Sequence, residues 1–205
     1  MARAAEKKAV RERVASVARK TKETDIRIEL DLDGSGQYEI ATGVPFFDHM
    51  LESFARHGLF DLRLSAKGDV DVDLHHTVED VGIALGQAFR DALGNAEGIR
   101  RFGSAVVPMA ESRVDVALDV SNRPYLVYDV QLSNTRIGDF DASLTEDFAQ
   151  ALAQNAGLDL HVTLCYGRSP HHAVEAVFKA TARALRVALE VDPREQGLPT
   201  VKGAL

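Results

Sequence analysis

Seven histidines stand in the sequence, and four of them fall in two copies of one short pattern. His75-His76-Thr77-Val78-Glu79 recurs as His171-His172-Ala173-Val174-Glu175, at an offset of 96 residues. Neutral imidazole and carboxylate together suit Mn, Fe, Zn or Ni. On a helix, positions i and i+4 share a face, so His75 and Glu79 can meet one ion, and so can His171 and Glu175. Adjacent residues diverge by about 100° around a helix, so His75 and His76 do not easily bind the same ion. Four diverging imidazoles favour two metal sites, each built from both copies. The pattern differs from the His-Glu-x-x-His pair of zinc peptidases and from its inverse. A single copy would serve equally well as a helix cap or a solvated face; two copies in register weaken that reading. His57, just before Gly58, has no such support and reads as a cap or a packing residue.

The elements that carry these residues repeat as well. Extending the register over residues 75–93 gives ten identities in nineteen positions. Apolar residues continue at three- and four-residue steps in both copies, which predicts an amphipathic helix after each motif. Upstream, Ile26–Leu30, Leu62–Leu64 and Val70–Val72 alternate as strands do. Asp33-Gly34-Ser35-Gly36 reads as a hairpin turn, not as a nucleotide loop, because no helix follows it. Phe46–His57 reads as a helix ended by Gly58. In the second half, Val114–Val120 and Tyr125–Val130 read as strands joined by a Ser-Asn-Arg-Pro turn. Leu144–Asn155 reads as a helix ended by Gly157, and Leu160–Cys165 as a strand.

The order of motifs resembles one known family. Thr42-Gly-Val-Pro-Phe-Phe-Asp-His-Met-Leu51, His75-His-Thr-Val-Glu-Asp80, Arg101-Phe-Gly103, Arg123-Pro124, His171 to Lys179 and Lys202-Gly203 are similar to the imidazoleglycerol-phosphate dehydratases. The resemblance covers roughly residues 20–205. It implies an α+β fold of two similar β/α half-domains of the ribosomal-protein-S5-domain-2-like type, with helices packed on mixed sheets. The division expected is a polar arm over 1–22, halves over 23–100 and 101–195, and a tail over 196–205 that contributes to a phosphate site. The resemblance also implies a hydro-lyase of histidine biosynthesis that converts D-erythro-imidazole glycerol phosphate to imidazole acetol phosphate through a di-metal-bound imidazolate. Two Mn²⁺ ions per active site, at subunit boundaries of a homo-24-mer, are part of that picture.

Carried over by motif, the metal ligands are His49, His75, His76, Glu79, His171, His172 and Glu175. The eighth falls on Asp147, where the family often has histidine; Asp147 corresponds to His49 under the repeat, and His161 is its rival. Glu23 and Glu175 match the acid/base carboxylates. Arg101, Arg123, Lys179, Thr200 and Lys202 match the phosphate-binding positions, where arginine offers a bidentate fork and lysine a point charge. Two further departures are Ala110, in place of aspartate before Glu111, and Ser53, where many members have glutamine.

Composition bounds the alternatives. The chain has 205 residues, enough for a substantial core without staples. Its net charge of −7 disfavours nucleic acid as a partner, which usually calls for a basic face. One cysteine, Cys165, rules out an internal disulfide or a Cys-based zinc motif and fits a cytoplasmic protein. No apolar run approaches the roughly 18 residues that a membrane span needs. Met1 to Lys22 reads as a short polar helix or arm. Two rivals stay open: a metal-dependent hydrolase using the same ligands, and an S5-like RNA-binding or assembly module with structural metals.

Overall fold

The structure is a computed structural model and describes residues 12–203. The first half contains β1 (Val14–Lys20), β2 (Thr24–Asp31), β3 (Tyr38–Ala41), α1 (Pro45–Gly58), β4 (Asp61–Gly68) and α2 (His75–Leu93). The second contains β5 (Phe102–Met109), β6 (Ser112–Asp119), β7 (Tyr125–Asp129), a short β8–β9 hairpin (Arg136–Ile137 and Phe140–Asp141), α3 (Leu144–Ala156), β10 (Asp159–Tyr166) and α4 (Pro170–Leu189). The sheets have the orders β1-β2-β4-β3 and β5-β6-β10-β7. In each, the first two pairings are antiparallel and the last is parallel. The internal repeat is thus a repeat of topology, and both sheets are mixed.

Alternation decides how the layers stack. In β2 and β4 every second residue is buried, so one face of the sheet meets the core and the other does not. Helix α2 packs on β1, β2 and β4, while α4 packs on β5 and β6. Across the halves α2 packs on α3, and α1 on α4. The helices therefore lie between the sheets, around one continuous core that includes Phe47, Phe54, Phe148 and Phe178. Two glycines let α2 approach α3. A Cβ on Gly82 would stand 2.9 Å from the Phe148 carbonyl, and one on Gly86 2.8 Å from the Leu152 carbonyl.

Several local expectations need correction. The stretch read as a polar helix or arm includes a strand, β1, paired with β2 along its whole length; residues 1–11 of that reading lie outside the described residues. Val70–Val72 is a turn, closed by Val72 N–H donating to Asp69 O at 2.8 Å, and Val72 is exposed. The hairpin predicted at Asp33–Gly36 does not form, and the strands on either side of the Ser-Asn-Arg-Pro turn are not paired with each other. Strand β4 enters between β2 and β3, and β10 between β6 and β7, so the Gly-rich turn crosses the sheet end. There the Asp61 carboxylate accepts from the amides of Ser35 and Gln37. Gly58 is the last residue of α1, not its left-handed stop; Leu59 takes that conformation at φ 57°. Gly58 is needed for space, since its Cβ would fall 2.3 Å from the Phe60 ring. Gly157 does end α3, at φ 75°.

Candidate metal and substrate site

Both His-His pairs sit in the first turn of a helix. Ser169 caps α4, its hydroxyl accepting from His172 N–H, and Pro170 takes a position where no intrahelical donor is missed. Helix α1 starts behind Thr42, whose amide donates to the Asp48 carboxylate at 2.8 Å, and this fixes the turn that bears His49. These local devices aim the histidines before any ion is considered.

Two groups of side chains result, at places related by the repeat, and among the described residues only the first brings one donor atom of each member together. In the first, His49 from α1 joins His171 and Glu175 from α4, with one donor atom of each within 4.8 Å of the others. His171 Nε2 lies 3.3 Å from Glu175 Oε2. In the other, His75 and Glu79 from α2 join Asp147 from α3. His75 Nε2 is 3.7 Å from Glu79 Oε2, and its Nδ1 is 3.3 Å from Asp147 Oδ2. Each cluster thus takes an i, i+4 pair from one half and a third donor from the other half. Asp147 occupies the place that His49 occupies opposite, while His161 stands exposed on β10, across from Ala117 and Val127.

His76 and His172 belong to neither cluster. Their Nδ1 atoms lie against carboxylates: His76 3.1 Å from Asp69, and His172 2.8 Å from Glu111. That arrangement fixes the ring and leaves Nε2 as the free donor, as in carboxylate–histidine–metal triads. The Asp69 hydrogen bond raises the His76 pKa above the ordinary imidazole value, with Glu23 adding to it. The Ser169 amide and His172 hold the Glu111 carboxyl at about 2. Burial pushes the Glu175 carboxyl up, but the Lys179 ammonium 2.7 Å away, with His49 and His171, outweighs it and lowers the net value. In the first group a carboxylate and two imidazoles share a narrow space and form a donor set that fits a divalent ion of the manganese-to-zinc series.

Glu23 sits exposed on the β1–β2 turn, and Glu111 sits half-buried on the β5–β6 turn. These turns are equivalent in the two sheets. Glu111 is hydrogen-bonded to His172, whereas Glu23 acts on His76 through its charge alone. Glu111 and Asp69 were not among the predicted site residues. The available signal was their place just before a His-bearing helix or at a two-residue turn between strands.

The cationic residues divide. Arg101, Arg123, Thr200 and Lys202 line one open cavity of about 700 Å³, together with Arg100 and Ser121. Arg101 is fixed by a bidentate pair with Asp119 at 2.7 and 2.9 Å and by the Pro199 carbonyl at 2.9 Å. Its φ of 71° is uncommon for a residue with a side chain, and such positions cluster at functional sites. Lys179 is elsewhere, beside Glu175 on α4. No residue of either histidine cluster lines the cavity. Ser53 lies half-buried on α1, and Ala110 takes φ 49° in the turn before Glu111.

The chain was compared with known proteins. A sequence model described as imidazoleglycerol-phosphate dehydratase matches residues 42–185. A curated relative of that name from Geobacter metallireducens is 54% identical over 94% of this chain and 99% of its own length. One from Symbiobacterium thermophilum is 56% identical, covering 96% of this chain and 95% of its own. The crystal structure of imidazoleglycerol-phosphate dehydratase from Staphylococcus aureus superposes with a TM-score of 0.80 at 36% identity, over 87% of this chain and 99% of that one. IGPD from Pyrococcus furiosus, in complex with (S)-C348, gives 0.81 at 39% identity over 92% and 100%.

Proposed function

Because the chain belongs to the imidazoleglycerol-phosphate dehydratase family, a family of hydro-lyases of histidine biosynthesis, we propose that it works as a paired-metal dehydratase whose active site is shared between copies. The carrying observation is the pair of repeat-related clusters, His49/His171/Glu175 and His75/Glu79/Asp147, each beside a histidine that it does not use. His76 diverges from His75 around α2, and His172 from His171 around α4, so each suits an ion held by another copy. The first cluster of one copy would face the second cluster of a neighbour. His172 of the first copy would complete the neighbour's cluster, and His76 of the neighbour would complete the first. Such a contact is heterologous and must close on itself to avoid filaments. A closed 24-subunit particle with two Mn²⁺ ions per site satisfies this.

When bound, the ions supply Lewis acidity to the substrate's imidazole, making the ring easier to deprotonate and thus able to relay electrons. The chain's own residues do the rest. The hydroxyl leaves from the ring-adjacent carbon and the proton from its neighbour; the resulting enol relaxes to the ketone. Glu175, held ionised by Lys179, and Glu23, exposed on its turn, are placed to move these protons. The cavity of Arg101, Arg123, Thr200 and Lys202 would take the phosphate, and Lys179, outside that cavity in its own chain, would join it from a neighbouring copy.

Among the described residues no helix is long and apolar enough to cross a membrane. Work in the cytoplasm on a small phosphorylated imidazole is the reading that membership of this family supports. The test is an assay of imidazole glycerol phosphate dehydration by the purified protein, stripped of metal and then resupplied with manganese. Turnover that returns with manganese is expected; equal turnover without metal would refute the paired-metal reading.

A further inference from the structure

Asp80 follows the cluster residue Glu79, yet it points into the protein. It is 6% exposed and faces the β1–β2 turn. Its two oxygens have separate partners. Oδ1 accepts from Arg19 Nε at 3.0 Å and Nη2 at 2.7 Å. Oδ2 accepts from the hydroxyl of Thr24, itself buried.

That second contact orders a chain of hydrogen bonds. The only hydrogen on Thr24 Oγ1 goes to Asp80, so its 3.2 Å contact with Thr21 Oγ1 must be donated by Thr21. Thr21 Oγ1 is then left as an acceptor, and it receives the amides of Glu23 at 3.1 Å and Thr24 at 3.0 Å. The turn is also closed by Thr21 N–H to Thr24 O at 2.9 Å and tied to the next loop by Asp69 N–H to Glu23 O at 3.1 Å. The N–H and C=O of both Glu23 and Thr24 are thereby paired, while the Glu23 carboxylate takes no hydrogen bond from the described residues.

The other half provides an internal control. At the position of Asp80 the repeat has Ala176, and the equivalent turn holds Glu111 through the α4 N-terminus instead. One turn is anchored through its backbone and leaves its glutamate free. The other is anchored through the glutamate itself.

We propose that Asp80 is a positioning residue for the reaction, acting through Thr24 and Thr21 to hold the Glu23 carboxylate at the shared site. The inference rests on the acid/base reading of Glu23. Carboxylate is required because an amide accepts at one oxygen only and cannot serve both Arg19 and Thr24.

Asp80→Asn, Thr24→Val, Thr24→Ser and Glu23→Gln are compared in the manganese-loaded particle. Asp80→Asn should lower kcat roughly tenfold or more while KM stays within about twofold, the pattern of lost orientation in the transition state. Manganese per subunit and particle size should match the parent. Thr24→Val should show the same split in smaller degree, and Thr24→Ser should restore it. Asp80→Asn with full kcat, or with loss of metal in proportion to loss of rate, overturns the proposal. Near-native turnover by Glu23→Gln removes the reading beneath it, whatever Asp80→Asn does. An inactive Glu23→Gln beside a fully active Asp80→Asn removes only the role of Asp80.

Discussion

Glu175 and Glu111 both stand next to a histidine, but their surroundings give them different tasks. Glu175 is 7% exposed, paired with Lys179 on one side and set beside His49 and His171 on the other. In the proposed mechanism this maintains its charge where a proton comes and goes. Glu175→Gln should leave the particle intact and lower turnover roughly 10²- to 10⁴-fold, the range for a lost general acid or base. Sedimentation and steady-state rates on one preparation check both halves of that statement. Glu111 is tied up by the Ser169 and Arg168 amides and by His172. Glu111→Gln should therefore weaken metal binding about 10- to 100-fold, as loss of an outer hydrogen-bonding partner does, and a competitive metal titration measures it. At this scale the sequence was most legible. Two identical i, i+4 spacings point to two clusters, and the structure brings each spaced pair together. It could not reveal that Asp69 and Glu111 stand behind the second histidines, since those contacts span 7 and 61 residues through loops of no fixed pattern.

Elements were legible where burial is one-sided and local, and illegible where pairing is distant. Helices α2 and α4 follow from period alone. Strand β5 was missed because Phe102–Met109 carries Gly103 and Pro108 and has no clean alternation. Gly103 is required there: its Cβ would fall 2.0 Å from the Ala184 carbonyl of α4. Strand β1 was missed because it is an edge strand, only partly buried along one face. The false hairpin at Asp33–Gly36 arose because β2 and β3, adjacent in sequence, are not adjacent in the sheet. Close helix packing leads to a prediction at this scale. Gly86→Ala gains up to about 1 kcal/mol of helix propensity. It also drives a methyl group into backbone atoms at 2.8 and 2.9 Å that cannot turn aside. Overpacking of about 1–3 kcal/mol should win, and thermal unfolding should begin earlier than in the parent. A raised midpoint would mean that α2 and α3 can separate freely.

For the molecule as a whole, one chain holds two partial clusters and a cavity lined by arginines and a lysine that share no residue. In the proposed arrangement a second copy completes the site. His76→Ala should lower both manganese content and particle assembly, since its ring would serve a neighbour's ion; native size and full metal content in that variant would count against sharing. Removing metal from the parent with a chelator should likewise shrink the particle, read by light scattering, and manganese should restore it.

The most direct measurement is subunit complementation. Glu23 lies by His76, which would serve the neighbour's ion, whereas Glu175 lies in the opposite cluster. The two carboxylates of one site should therefore come from different chains. Glu23→Gln and Glu175→Gln proteins, each inactive, are stripped of metal, mixed in equal amounts and reassembled with manganese. Random mixing should return about a quarter of parental activity, the share of interfaces in which both carboxylates survive. A mixture as inactive as its components, although shown to contain both chains in one particle, would contradict the shared site.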